Sequence, residues 1–303
     1  MAELVKKIRT DKGDLQIDYN ALANLPRVNN NLLINSDFKA AVNQRGQTSY
    51  QSNAGDLRRI YTIDRWNMQN GTSCTINSSY ITLKGNNNAS AGTSCFCQII
   101  ETALPAYTYT LQLSVKNVSG VVSMWILDKD MQRVKGTNLS VGVNKITVMN
   151  SSVCTVSIDL EHNAQIEIEW MKLEEGDVAT RFTPRLYCEE LNMCRRFFQI
   201  LEFTKNDVVC YLNQRNIGYY AGLIGFDQMR RVPSVYTLGV FYIEQYNSNG
   251  VIYGIYNSAD FIVDIVPQST GLHFGVQFTT VDPVNYLGAS SDSLYLMLDA
   301  EIS

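Results

Sequence analysis

Between residue 32 and about residue 185 the chain alternates apolar and polar positions with a period of two, the pattern of strands buried on one face. The segments SCTINSSYITLKG (73–85), SCFCQIIE (94–101), YTYTLQLSVKNV (107–118) and VVSMWILDKDMQRVKG (121–136) show it, as do KITVMN (145–150), CTVSIDLE (154–161) and AQIEIEWMKLE (164–174). Clusters of Asn, Gly and Ser separate them at roughly even spacing. Antiparallel strands of this density predict a two-sheet jelly-roll sandwich, with Ile99, Leu111, Leu113, Val115, Trp125, Ile166 and Ile168 on its inner faces. Trp125 lies between Met124 and Ile126 and fits either side; the core is the expectation.

The pattern changes period only once. Over 186–200 the apolar residues Leu186, Leu191, Cys194, Phe197 and Phe198 fall near one face of a helix. From 201 to 303 the reading is β again, in VVCYLN, IGYYAGLIGF, SVYTLGVFYIEQYN, VIYGIYN, FIVDIV, GLHFGVQF and SLYLMLDAEI. The expected fold is all-β: a jelly roll over 31–185, a linker helix over 186–200 and a C-terminal β-sandwich head over 201–303. Residues 1–30 stand apart. They carry a charged run, a turn at Asp11–Asp14 and a strand-like LQIDY, and their apolar residues favour docking over a free tail.

Charge narrows the partners. The net charge is −4 with pI near 5.3, so no global basic field draws nucleic acid or anionic lipid. From Tyr211 onward three arginines (Arg215, Arg230, Arg231) face eight acidic residues with no lysine, which disfavours a polyanionic receptor for that half. No apolar run of about 18 residues argues for membrane insertion, and MAELVKKIRTDKGDLQ lacks a signal-peptide core. Synthesis in a cytoplasm is the expectation, with the seven cysteines reduced and mostly buried.

Catalytic chemistry is sparsely supplied. The two histidines, His162 and His273, lie in different predicted domains, and GxSxG, P-loop and HExxH patterns are absent. No enzyme activity, catalytic residue, metal or cofactor is expected. Asp128 and Asp130 read as a hairpin turn, with a calcium site as the lesser alternative. Glu167 and Glu169 read as the exposed face of a strand opposite Ile166, Ile168 and Trp170, and Glu174–Glu175 as the loop after it. Aromatics are the better lead. Tyr219, Tyr220, Tyr242, Tyr246, Tyr253 and Tyr256, with Asn247 and Asn249, form an uncharged set suited to neutral glycan or protein contacts. Ordinary tyrosine usage in a β domain explains them equally well.

Two long motifs carry a resemblance. NLLINSDF (31–38), NQRG (43–46), Tyr61 and DRW (64–66) open the central unit; LEEGDVATRFTPRLYCEELNMCRRFFQ (173–199) closes it. Together they resemble modules of bacteriophage tail fibres and receptor-binding proteins, with Ser36 where the usual form has Gly. FDQMRRVPSV (226–235) resembles a stretch that follows in the head domain. The resemblance implies a carbohydrate-binding-module-like jelly roll and a homotrimer. It also implies a virion location, attachment to phage tail or baseplate proteins through residues 1–30, and adhesion to a host-surface glycan. A purely structural baseplate or fibre-network role is the alternative, and a glycan depolymerase a lesser one. No ligand residues carry over from the resemblance. Within the motifs, Trp66 is expected to pack at the sandwich end, with Asp64 and Arg65 pinning backbone beside it.

Overall fold

The computed structural model describes residues 7–10, 13–16, 31–88, 92–204, 207–216, 219–239, 241–246, 252–257, 262–268, 270–277, 284–289 and 293–301. Strands β1 (Lys7–Thr10) and β2 (Gly13–Gln16) pair antiparallel, Thr10 against Gly13. The remainder of 17–30 lies outside the described residues, so the docking expected of that segment does too.

The first large unit is built from β3 (Ser49–Gln51), β4 (Ile60–Tyr61), β5 (Asn67–Gln69), β6 (Ser73–Ile76) and β7 (Ile81–Lys84). It continues through β8 (Ser94–Ser119), β9 (Val122–Leu127), β10 (Arg133–Asn138), β11 (Gly142–Leu160) and β12 (Gln165–Glu175). The sequence breaks β8 and β11 each into two strands; the structure runs both through. Their register slips between Val148 and Thr155, where Asn150 takes a left-handed φ of 50°, so the slack is absorbed as bulges. Pro105 falls inside this irregular stretch, where a missing N–H breaks no regular ladder.

The two long strands define the sandwich. The N-terminal part of β8 pairs with the C-terminal part of β11, flanked by β9 and β10 on one side and by β5 and β4 on the other. The C-terminal part of β8 lies between the N-terminal part of β11 and β12, and the sheet continues through β7, β6 and β3. A single core unites the inner faces, with Met124, Ile126, Val156 and Ile158 from one sheet and Leu111, Leu113, Ile166 and Leu173 from the other. The chain is all-β in fold class, as the period-two pattern predicts.

Two inward assignments are corrected. Trp125 is half-buried on the outer face while Met124 and Ile126 point inward. Its indole N–H donates to Ser123 (2.9 Å), Arg133 lies over the ring (4.8 Å), and Gly136 opposite leaves it room, since a Cβ there would meet the ring at 2.4 Å. In β12 a bulge between Ile168 and Trp170 reverses the alternation. Met171 and Leu173 take the core, and Trp170 moves outward to stack on Phe182 (4.7 Å). Glu174 is therefore a fully buried strand residue, not part of a loop.

The helix is shorter than expected: α1 spans Tyr187–Arg195. Glu189 reaches back to the Leu186 N–H (3.3 Å) at its start. Cys194 and Phe197 are buried, but Leu186 is exposed. Phe198 and Gln199 belong instead to β13 (Phe198–Thr204), because the Ala300 N–H donates to the Phe197 carbonyl (2.7 Å) and the chain enters a sheet there.

The second unit contains β13, β14 (Val208–Tyr211), β15 (Asn213–Asn216), β16 (Tyr219–Gly225), β17 (Ser234–Leu238) and β18 (Phe241–Tyr246). It ends with β19 (Ile252–Asn257), β20 (Ile262–Pro267), β21 (Gly271–Gln277), β22 (Val284–Ala289) and β23 (Ser293–Asp299). The sequence reading passes over β13, β22 and all but the first residue of β15, and it runs β17 and β18 together. Three antiparallel sheets form, in the orders β13-β23-β17, β14-β22-β18-β19 and β15-β16-β21-β20. Leu272, Phe274, Leu287, Leu294, Leu296 and Leu298 centre a separate core.

Candidate ligand-binding site

The tyrosines singled out from sequence do not share one sheet. Tyr219 and Tyr220 lie on β16, paired with Gln277 and Val276 of β21. Tyr242 and Tyr246 lie on β18, and Tyr253 and Tyr256 on β19, in a different sheet. For these six the description is of the backbone; Asn247 and Asn249 fall outside the described residues. Asp128 and Asp130 form a turn, in which the Asp128 carboxylate accepts the N–H groups of Asp130 and Gln132 (both 2.9 Å). Among the described residues no group of three or more His, Cys, Asp or Glu side chains has a metal-holding arrangement. All seven cysteines are free thiols; Cys188 is exposed and Cys74, Cys97, Cys194 and Cys210 are buried.

The motif residues converge on the junction between the two units. Asn35, at a left-handed φ of 57°, donates to the carbonyls of Val42 and Asp64 (both 2.8 Å) and accepts the Val42 N–H (2.7 Å). The Trp66 indole donates to the Asn35 carbonyl (2.7 Å) and stacks on Phe96 at 5.0 Å, fully buried within the core. Arg65, also left-handed at φ 73°, turns its side chain toward the second unit. It meets Glu301 at 2.5 Å, donates to the Ile99 carbonyl (2.6 Å) and lies 3.6 Å over Phe197. Asp64 accepts from Gln44 (2.7 Å) and Arg45 (3.1 Å), and Gln44 also reaches the Phe198 carbonyl (2.7 Å). Arg65 pins backbone, as expected; Asp64 holds side chains.

This cluster is buried and charged. Burial pushes the Asp64 carboxyl up from 3.8 to about 7, against the opposing pull of Arg45 and Gln44. Burial also raises the Tyr61 phenol, with the Glu301 charge adding to it.

Beside the cluster, the seam opens into a cleft of about 560 Å³. The first unit supplies Arg58, Arg59, Tyr61 and Gln69; the second supplies Arg231 and Tyr236, with Ser234, Asp299 and Glu301 around them. The β3–β4 connection carries Arg58 and Arg59, while Tyr236 stands on β17 with 57% of its surface exposed. Arg58 is held by Asp56 (2.7 Å), and Arg231 donates to the Glu301 carbonyl (2.5 Å). Arg59 forms no hydrogen bond or ion pair among the described residues. The mixture of phenol rings, guanidinium donors and an amide can grip a polar ligand that has an apolar ring face. Sequence reasoning misses this site because its residues come from positions far apart in the chain. The adjacent arginines 58–59 and 230–231 are the only local signal.

No protein-family model and no curated protein matches the chain. Among solved structures, the N-terminal CBM22-1–CBM22-2 tandem domain of Paenibacillus barcinonensis Xyn10C aligns at TM-score 0.32 and 8% identity, covering 91% of this chain and 99% of that chain. The lectin domain of lectinolysin, complexed with Lewis B antigen, aligns at 0.26 and 8% identity, over 33% of this chain and 74% of that chain. The enzymatically active domain of bacteriophage CBA120 tailspike protein 4 aligns at 0.29 and 15% identity, over 48% of this chain and 21% of that chain. At such TM-scores these are weak likenesses, and the all-β assignment stands on the strand pairing.

Proposed function

We propose that this chain is a non-enzymatic receptor-binding or fibre protein of a phage virion, which holds a host-surface glycan in the cleft between its two units. The observation that carries the reading is the cleft itself, where Tyr61 and Tyr236 stand among arginines and Gln69. Ring stacking with a polar rim is the chemistry a sugar requires. The motif resemblance at 31–66 and 173–199 supports the virion setting. The cleft's two carboxylates, Asp299 and Glu301, lie within ion-pair range of Arg45 and Arg65 (3.9 and 2.5 Å), which favours binding over hydrolysis.

A glycan array probed with the labelled full-length chain is expected to show a discrete set of ligands, all weakened about tenfold or more by Tyr236→Ala. An empty array, or binding unchanged in that variant, removes the cleft from the reading. The assembly is proposed to be a homotrimer attached to tail proteins through residues 1–30. Light scattering is then expected to give three times the 34.1 kDa chain mass, and a monomer would contradict the fibre.

The structural alternative draws on one observation. Val141, just before β11, and Val143 and Met149 within it are 62–70% exposed, apolar side chains that could pack against another virion protein.

A further inference from the structure

We propose that the cleft is selective for an anionic ligand: a sugar or polyol bearing a carboxylate or phosphate, held by Arg59 and Arg231. The inference rests on the glycan-binding reading and specifies its chemical class. Charge accounting at the seam carries it. Arg45, Arg58, Arg59, Arg65 and Arg231 gather there around four carboxylates, those of Asp56, Asp64, Asp299 and Glu301.

The carboxylates are already engaged. Asp56 grips Arg58, and Asp64 is bonded to Gln44 and Arg45. Glu301 is buried against Arg65, and Asp299 accepts the Glu301 N–H (2.9 Å) while lying 3.9 Å from Arg45. Arg59 has no such partner among the described residues. A guanidinium carries five N–H donors, so Arg231 retains donors beyond the one given to the Glu301 carbonyl.

An anion would therefore meet uncommitted guanidinium donors, whose planar fork matches carboxylate and phosphate oxygens. The acidic excess of residues 211–303 does not describe this place, because Arg58 and Arg59 come from the other unit. Surface charges more than about 10 Å away are largely screened at moderate salt, so the local arginines decide what the cleft accepts. Its volume lies in the range of about 300–1,000 Å³ usual for small ligands. Tyr61 and Tyr236 supply ring faces beside the charge.

Calorimetric titration of the full-length chain tests this with three probes: trigalacturonate, the neutral galactotriose of the same linkage, and glycerol phosphate. At low salt an anionic probe is expected to bind at least about tenfold tighter than galactotriose, with the preference falling as NaCl rises. Arg59→Gln and Arg231→Gln should each weaken the anionic probe by a clearly larger factor than they weaken galactotriose, so that the preference itself shrinks. Trigalacturonate binding alone assigns the anion to a carboxylate, and glycerol phosphate binding alone assigns it to a phosphate. Equal binding of neutral and anionic probes overturns the selectivity and leaves the glycan reading standing, as does a preference untouched by both substitutions. Failure of every probe, when the array shows neutral ligands, also overturns the selectivity alone. Failure of every probe together with an empty array overturns both.

Discussion

Asp64 shows how one residue's setting becomes a property of the fold. Its carboxyl is raised from 3.8 to about 7 by burial, so between those values the folded chain binds more protons at this site than the unfolded chain. The stability it contributes is complete below about pH 4 and is lost as pH rises through about 7, at up to about 1.4 kcal/mol per pH unit. Asp64→Asn is expected to flatten that slope in thermal melts between pH 4 and 8. An unchanged slope would place the titration elsewhere. The sequence shows Asp64 only as part of a motif. Its burial depends on Arg45, Cys194 and Glu301 arriving from distant segments, which no local pattern encodes.

At the scale of elements, the segment after β12 explains the ATRFTPR motif. Lys172 and Glu174, 3.1 Å apart and buried, point out of the sheet beneath this segment. Thr180 bridges them, accepting from Lys172 (2.5 Å) and donating to Glu174 (2.6 Å), while its N–H also bonds Glu174 (2.9 Å). Glu174→Ala should cost about 3–5 kcal/mol in urea unfolding, because it strands a buried ammonium. Replacing the pair with Lys172→Met and Glu174→Leu together should cost markedly less, and equal losses would mean the ion pair is not what matters there. Strand existence is legible in the sequence because the period-two pattern reports which face is wet. The bulge before Trp170 and the continuity of β8 and β11 are not legible, because both depend on what the neighbouring strand does. The outward place of Trp125 is hidden from the sequence for a related reason. An indole beside Met124 and Ile126 reads as core until Gly136 and Arg133 are seen to make a berth for it outside.

At the scale of the whole molecule, the two units are joined by Arg65 with Glu301, Gln44 with the Phe198 carbonyl, and Arg196 with Glu101 (2.9 Å). Only the first pair is fully buried on both sides. Glu301→Ala leaves the Arg65 guanidinium, whose Nε already has no partner, facing a gap. A loss of about 3–5 kcal/mol is expected, with scanning calorimetry resolving two transitions where the parent shows closer coupling. A single unaltered transition would show that other contacts join the units. The candidate cleft lies along this same seam, so neither unit's sequence contains it alone.

The sharing of β8 and β11 between both sheets gives the first unit a woven character. A sandwich whose sheets are separate ribbons can shed one layer and keep the other. Here freeing a whole layer draws β8 and β11 out of the second, so fraying is confined to outer strands such as β3 and β10. Load entering through either sheet is handed directly to its counterpart by covalent chain, before any side-chain contact between the layers is called on.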